Sequence, residues 1–111
     1  MINNVRFTNG LLVWNNETGS CCKNIKQGTF VYDENHMLVM NEKRNEVVLE
    51  NEFGRVLGRL VSSEDLSFQY LVNHPRFGLI VVVSVKDTSG EWQDCHYRWN
   101  GADFEVFSKA R

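Results

Sequence analysis

The sequence predicts a mainly antiparallel β protein, and three observations carry that expectation. Clusters of Asn, Asp, Gly and Ser recur about every eight to ten residues, marking turns. The segments between them are rich in Val, Phe, Tyr and Trp, which suit a pleated, half-buried surface better than a helix. Two Asn-Gly pairs, Asn9-Gly10 and Asn100-Gly101, are strong hairpin signals because both residues tolerate positive φ. The expected architecture is a sandwich or strongly curved sheet of roughly nine or ten short strands with one short helix. A partial barrel or propeller-like meander is the alternative.

Each element follows from local chemistry. Val5–Thr8 alternates and meets Asn9-Gly10, so Leu11–Trp14 should return antiparallel to it. Asn15–Gly19 is the next turn, Ser20–Ile25 a strand with weak alternation, and Thr29–Tyr32 a better one, closed by Asp33-Glu34-Asn35. His36–Asn41 and Glu46–Glu50 flank the polar loop Glu42–Asn45, in a register that sets Leu38 opposite Leu49 and Val39 opposite Val48. Arg55–Val61 follows a turn closed by Gly54, and Gly58 inside it marks a bulge or a close backbone approach. Ser62-Ser63-Glu64-Asp65 has a capping hydroxyl followed by acids, and Leu66, Tyr70 and Leu71 fall at i, i+4, i+5. That pattern predicts the helix over about 64–72, ended by Pro75. Gly78–Val85 is apolar on both faces, as a central strand would be. Pairing Lys86 with Glu91 brings back Glu91–Trp99, with Val82 opposite Cys95, and Asp103–Phe107 is the last strand.

The chain has 111 residues, 42% of them hydrophobic and 23% charged, with a net charge of −2. Residues 1–111 are therefore read as one globular domain, too apolar for disorder and too short for two cores. The longest apolar run, Leu79–Val83, is far below the ~18 residues of a membrane-spanning helix. No basic region leading into an apolar stretch begins the sequence, and three cysteines offer no disulfide framework, so a cytoplasmic location is expected. Charge is uneven. Residues 33–65 carry eight acids and four Lys or Arg, whereas 66–111 carry five of each. With no cluster of cations to neutralise phosphates, nucleic acid is not an expected partner, and a cationic protein is.

Chemistry-bearing residues are few. Cys95 and His96 are neighbours on a strand and point to opposite faces, so they cannot chelate together, and no metal or other cofactor is expected. Asp94, His96 and Arg98 fall at i, i+2, i+4 and could form an acid–base row, but a solvated sheet face produces the same alternation. An enzyme using Asp94, Cys95 or His96 is the least favoured reading, behind a β-rich accessory or scaffold module. Trp14, Phe30, Tyr32, Trp92, Tyr97, Trp99, Phe104 and Phe107, at strand spacing without interleaved cations, are assigned to the core. Met37 and Met40 are taken as exposed apolar residues able to pair chains, with Lys43 and Arg44 as possible guards against it. The acidic segment is the candidate docking surface. Glu42, Glu46, Glu50 and Glu52 flank one hairpin and could share an edge, with Tyr32, Asp33 and Glu34 at the preceding turn.

The C-terminal third runs Pro75-Arg76-Phe77-Gly78-Leu79-Ile80-Val81-Val82-Val83-Ser84, then Trp92-Gln93-Asp94-Cys95-His96-Tyr97-Arg98-Trp99-Asn100-Gly101, to Ser108-Lys109-Ala110-Arg111. It resembles the ending of small β-rich immunity proteins of bacterial contact-dependent growth inhibition and polymorphic-toxin systems. The resemblance implies a cytosolic, non-enzymatic protein that binds a toxin domain, often a cationic nuclease, and occludes its active site. It does not locate the interface, which rests on charge.

Overall fold

The structure, a computed structural model, describes residues 1–25 and 28–109. It is all-β, with three antiparallel sheets, none closed into a barrel. The first sheet holds β1 (Asn3–Thr8), β2 (Leu11–Asn16) and β3 (Gly19–Asn24). The middle sheet holds β4 (Thr29–Tyr32), β5 (His36–Met40), β6 (Glu46–Asn51) and β7 (Val56–Val61). The last holds β8 (Leu66–His74), β9 (Gly78–Lys86), β10 (Trp92–Trp99) and β11 (Phe104–Lys109). Each sheet is a meander whose neighbours in sequence are neighbours in space.

Turn chemistry explains the regularity. Asn9 and Gly10 both have positive φ (53° and 81°), the requirement of the two-residue hairpin they were expected to form. Elsewhere a short polar side chain accepts the N–H groups that the turn leaves free. Asn16, Asp33, Asn41, Asn51, Asp87 and Asn100 each use Oδ1 in this way. His74 does the same through Nδ1, accepting from Arg76 and Phe77.

The sheets stack, and the middle one is covered on both faces. Leu12, Trp14, Ile2 and Ile25 pack with Met37 and Val39 in one core. Leu38, Met40, Val47 and Leu49 face the other way, onto Phe68, Val81, Val83 and Cys95. Because alternate residues of β5 serve different cores, the strand is apolar throughout, and Met37 and Met40 are fully buried instead of exposed. The expected pairs Leu38–Leu49 and Val39–Val48 are present. Gly58 combines both features anticipated for it. The register shifts beside it, and a Cβ there would lie 2.4 Å from the Trp99 ring.

Two further expectations fail. The segment 64–72 is not helical; Leu66–His74 is a nine-residue strand. The Ser63 hydroxyl accepts the Asp65 N–H, and Ser63 and Leu66 exchange backbone hydrogen bonds, so the supposed helix cap is a tight turn. A bulge between Phe68 and Tyr70 then turns two successive side chains outward. It keeps Leu66, Phe68 and Leu71 on the core face and sends Tyr70 to solvent, so the apolar residues at i, i+4, i+5 do not share one face as they would on a helix. The second error is register. Lys86 pairs with Trp92, and Cys95 with Val83, one residue away from the expected pairing. Asp87 and Glu91 close the loop, with Gly90 at φ 87°, and the Asp87 carboxylate holds Ser89 and Glu91. A one-residue change reverses which side chains share a face. Among the described residues, no helix is long and apolar enough to cross a membrane.

Candidate functional site

The residues of the acidic segment do not share an edge. The β4–β5 and β6–β7 turns lie at one end of the middle sheet and the β5–β6 loop at the other. Tyr32, Asp33, Glu34 and Glu52 therefore sit at one end, with Glu42 in the opposite loop and Glu46 beside it, paired with Arg59 at 3.2 Å. Glu50 is on neither surface. It is 3% exposed, directed between the first and middle sheets, with Lys23 Nζ 2.7 Å from Oε2. That approach lies outside hydrogen-bond direction, so Oε2 has an ionic partner but no directed donor. A carboxylate so placed holds two sheets together and presents nothing to a partner.

The end carrying Tyr32 gathers more than the sequence pattern indicated. Glu52 backbone carbonyl accepts from Trp14 Nε1 at 2.7 Å and Asn16 Nδ2 at 2.9 Å, which brings the β2–β3 turn and its exposed Glu17 alongside. Glu17 and Glu52 converge on the Met1 amino group. Ile2 N–H donates to the Glu34 carbonyl at 2.6 Å. Asn73 Nδ2 donates to the Tyr32 carbonyl at 2.8 Å, placing the β8–β9 turn beside this group. Three aromatics stand out among these carboxylates: Tyr32, Phe53 and Phe77, which are 40%, 50% and 39% exposed. Phe53 and Phe77 were missed because both lie in turns, outside the strand-spaced aromatics that were assigned to the core. Their only signal was an apolar ring next to a turn glycine.

Phe77 also begins an apolar groove of about 370 Å³ on the outer face of the last sheet, where Tyr70, Ile80, Val82, His74, His96 and Phe107 form its walls. Arg98 lies 4.7 Å from the Phe107 ring centroid and His96 stacks on the same ring, so these two residues are engaged with an aromatic. Asp94 accepts from the Ser84 hydroxyl at 3.0 Å, which in turn accepts from Gln69. Asp94, His96 and Arg98 thus share a face, as their spacing implies, but Asp94 is engaged with Ser84 while His96 and Arg98 both pack on Phe107. Cys95 is buried on the opposite face, in the core. Among the described residues no group of three or more His, Cys, Asp or Glu side chains converges in a way that could hold a metal ion.

Comparison with protein-family models, curated proteins and solved structures finds no match. The surface must therefore be judged on its own chemistry. Carboxylates around exposed aromatic rings offer long-range attraction to cations and large apolar contact area on rigid side chains.

Proposed function

We propose that the chain is a non-catalytic binding protein that neutralises a cationic toxin domain in the cytoplasm by covering its functional surface. The observation that supports this reading is the grouping of Tyr32, Phe53 and Phe77 with Glu17, Asp33, Glu34 and Glu52 at one end of the sheet stack. The two kinds of group do different work. Carboxylates steer a basic domain into encounter and repel competing polyanions, while a few aromatic anchors provide most of the energy of a standard interface of about 1,600 Å². Rigid sheets hold both sets in place, so little ordering entropy is lost on docking.

The test is affinity purification from the native cell, followed by charge reversal. Glu17→Lys with Glu34→Lys leaves turn geometry intact, because neither carboxylate caps a turn. The expected partner is a strongly basic domain whose toxicity is suppressed on co-expression. Its affinity should fall at least tenfold in the double variant and on raising salt from low to physiological ionic strength. A retained partner that is acidic, or a basic one bound equally well by the double variant, would overturn the proposal.

A further inference from the structure

Ile80 and Val82 lie on the outer face of the last sheet, where, among the described residues, no other sheet packs, yet they are only 4% and 5% exposed. Side chains of the neighbouring strands cover them. Tyr70 and His96 flank Val82 in one cross-strand row, Val72 flanks Ile80 in the next, and His74 stands opposite Gly78 in the third. A chain of rings closes the end. His74 packs on Phe77 at 4.9 Å between centroids, Phe77 on Phe107 at 5.0 Å, and Phe107 on His96 at 6.4 Å. The groove of about 370 Å³ that these side chains line is within the size range of small-ligand pockets. From Val82 to Gly78 it runs about 13 Å, at the ordinary rise of a strand.

The polar groups around this apolar floor are donors and cations. His74 Nδ1 accepts the Arg76 and Phe77 N–H groups at 3.0 and 3.2 Å, which fixes the proton of the neutral ring on Nε2, the donor left for the groove. Among the described residues, no carboxylate or amide side chain lines it. Two guanidinium groups stand at the closed end, Arg76 at 5.3 Å from the Phe77 centroid and Arg98 at 4.7 Å from that of Phe107. Stacking on a ring uses the flat face of the half-buried Arg98 and leaves its N–H edge for a planar anion. Among the described residues that edge has no ionic partner. The nearby carboxylates are engaged elsewhere. Glu105, across the ladder from Arg98, accepts from Asn100 at 3.1 Å. Asp33, which borders a small cleft with Arg98 and Phe77, accepts from the N–H groups of Asn35 and His36.

We infer that the outer groove of the last sheet binds a small aromatic carboxylate, with its rings over Ile80 and Val82 and its carboxylate at the Phe77 end, between His74 Nε2 and Arg98. Each part of such a molecule meets its complement. Two aliphatic side chains form the floor and aromatic rings the walls, so a flat apolar body gains contact on every side. The carboxylate takes charge-assisted hydrogen bonds from a guanidinium edge whose geometry matches its two oxygens. Arg76 and Arg98 disfavour a cationic ligand of the same shape. A metal ion is not suited, because His74 spends Nδ1 on the turn and Cys95 lies on the opposite face, in the core. The groove meets the acidic end only at Phe77, and its charge preference is the reverse. The inference therefore does not rest on the binding of a basic domain there.

The probe is 2-naphthoate, titrated into the full chain and followed by backbone amide chemical shifts. Saturable one-to-one binding below millimolar concentration is expected, with the largest shifts at Val72, Ile80, Val82 and His96. The amine 2-naphthylmethylamine, of similar shape and opposite charge, should bind at least tenfold more weakly, and so should octanoate, which has the charge without the rings. Arg98→Gln should lower naphthoate affinity at least tenfold, and Val72→Trp, which fills the groove, should abolish binding. Unchanged shifts in the first sheet, remote from the groove, show that each variant is folded. The inference is overturned if millimolar naphthoate does not saturate the chain, if its shifts centre on another surface, or if the amine binds as well as the acid. Unchanged affinity in a folded Arg98→Gln variant would overturn it equally. So would at least tenfold tighter binding of a peptide ending in phenylalanine, which would assign the groove to a polypeptide.

Discussion

Replacing Lys23 by methionine tests how the first sheet is held to the middle one. Methionine keeps most of the apolar stem of Lys23 and removes its charge, leaving Glu50 buried opposite no cation. Breaking a buried ion pair from one side costs about 3–5 kcal/mol. The Lys23 side chain is 31% exposed, so water replaces part of what is lost, and the lower end of that range, about 3 kcal/mol, applies. With a urea m-value of about 1–3 kcal/mol/M for a chain of this size, the midpoint should fall by about 1–3 M. Lys23→Met combined with Glu50→Met removes both charges, and most of the loss should be recovered because an apolar pair fills the same space between the two sheets. Equilibrium urea unfolding of the three variants and the parent supplies the cycle. If Lys23→Met lies within about 0.5 kcal/mol of the parent, or the double variant is no more stable than the single one, Glu50 is reached by water and the pair does not hold the sheets.

Two further predictions concern packing and pH. Gly58→Ala should destabilise by about 1–3 kcal/mol despite the entropy advantage of alanine in a strand, since its Cβ would lie 2.4 Å from the Trp99 ring; Trp99→Leu should rescue it, and thermal unfolding of the two backgrounds reads the difference. The Asp87 carboxyl is held below its ordinary value, first by the Ser89 hydroxyl and then by the Glu91 N–H. Its contribution to stability is complete above the ordinary aspartate range and disappears as pH falls through the lowered folded value. Asp87→Asn should therefore narrow the difference from the parent as pH drops below ~4, measured by urea midpoints across that window.

Much of the fold was legible because turns are local. Asn9-Gly10, Asp33 and Gly54 report a backbone need that their own side chains, or the lack of one, satisfy within a few residues. The segment 64–72 was misread for the same reason. Its signals, a hydroxyl before acids and spaced apolar residues, fit both a capped helix and a turn followed by a bulged strand. Only pairing along β9 distinguishes them, since a nine-residue helix has little stability of its own in water. The candidate site was less legible still. Tyr32, Asp33 and Glu34 are where their turn put them, but Glu17, Phe53 and Phe77 join them from turns distant in sequence.

The sequence by itself determined that this is an antiparallel β protein, where most of its strands and turns fall, and that carboxylates concentrate in residues 33–65. A period of two assigns residues to two faces without indicating which face another sheet will cover. Tertiary structure decided that. It covered both faces of β5, which buried Met37 and Met40; it placed Glu50 between sheets and Glu52 at their end; and it left β7 half covered beside an open edge. These outcomes depend on side chains brought together from separate sheets, and no spacing along the chain encodes the order in which sheets stack.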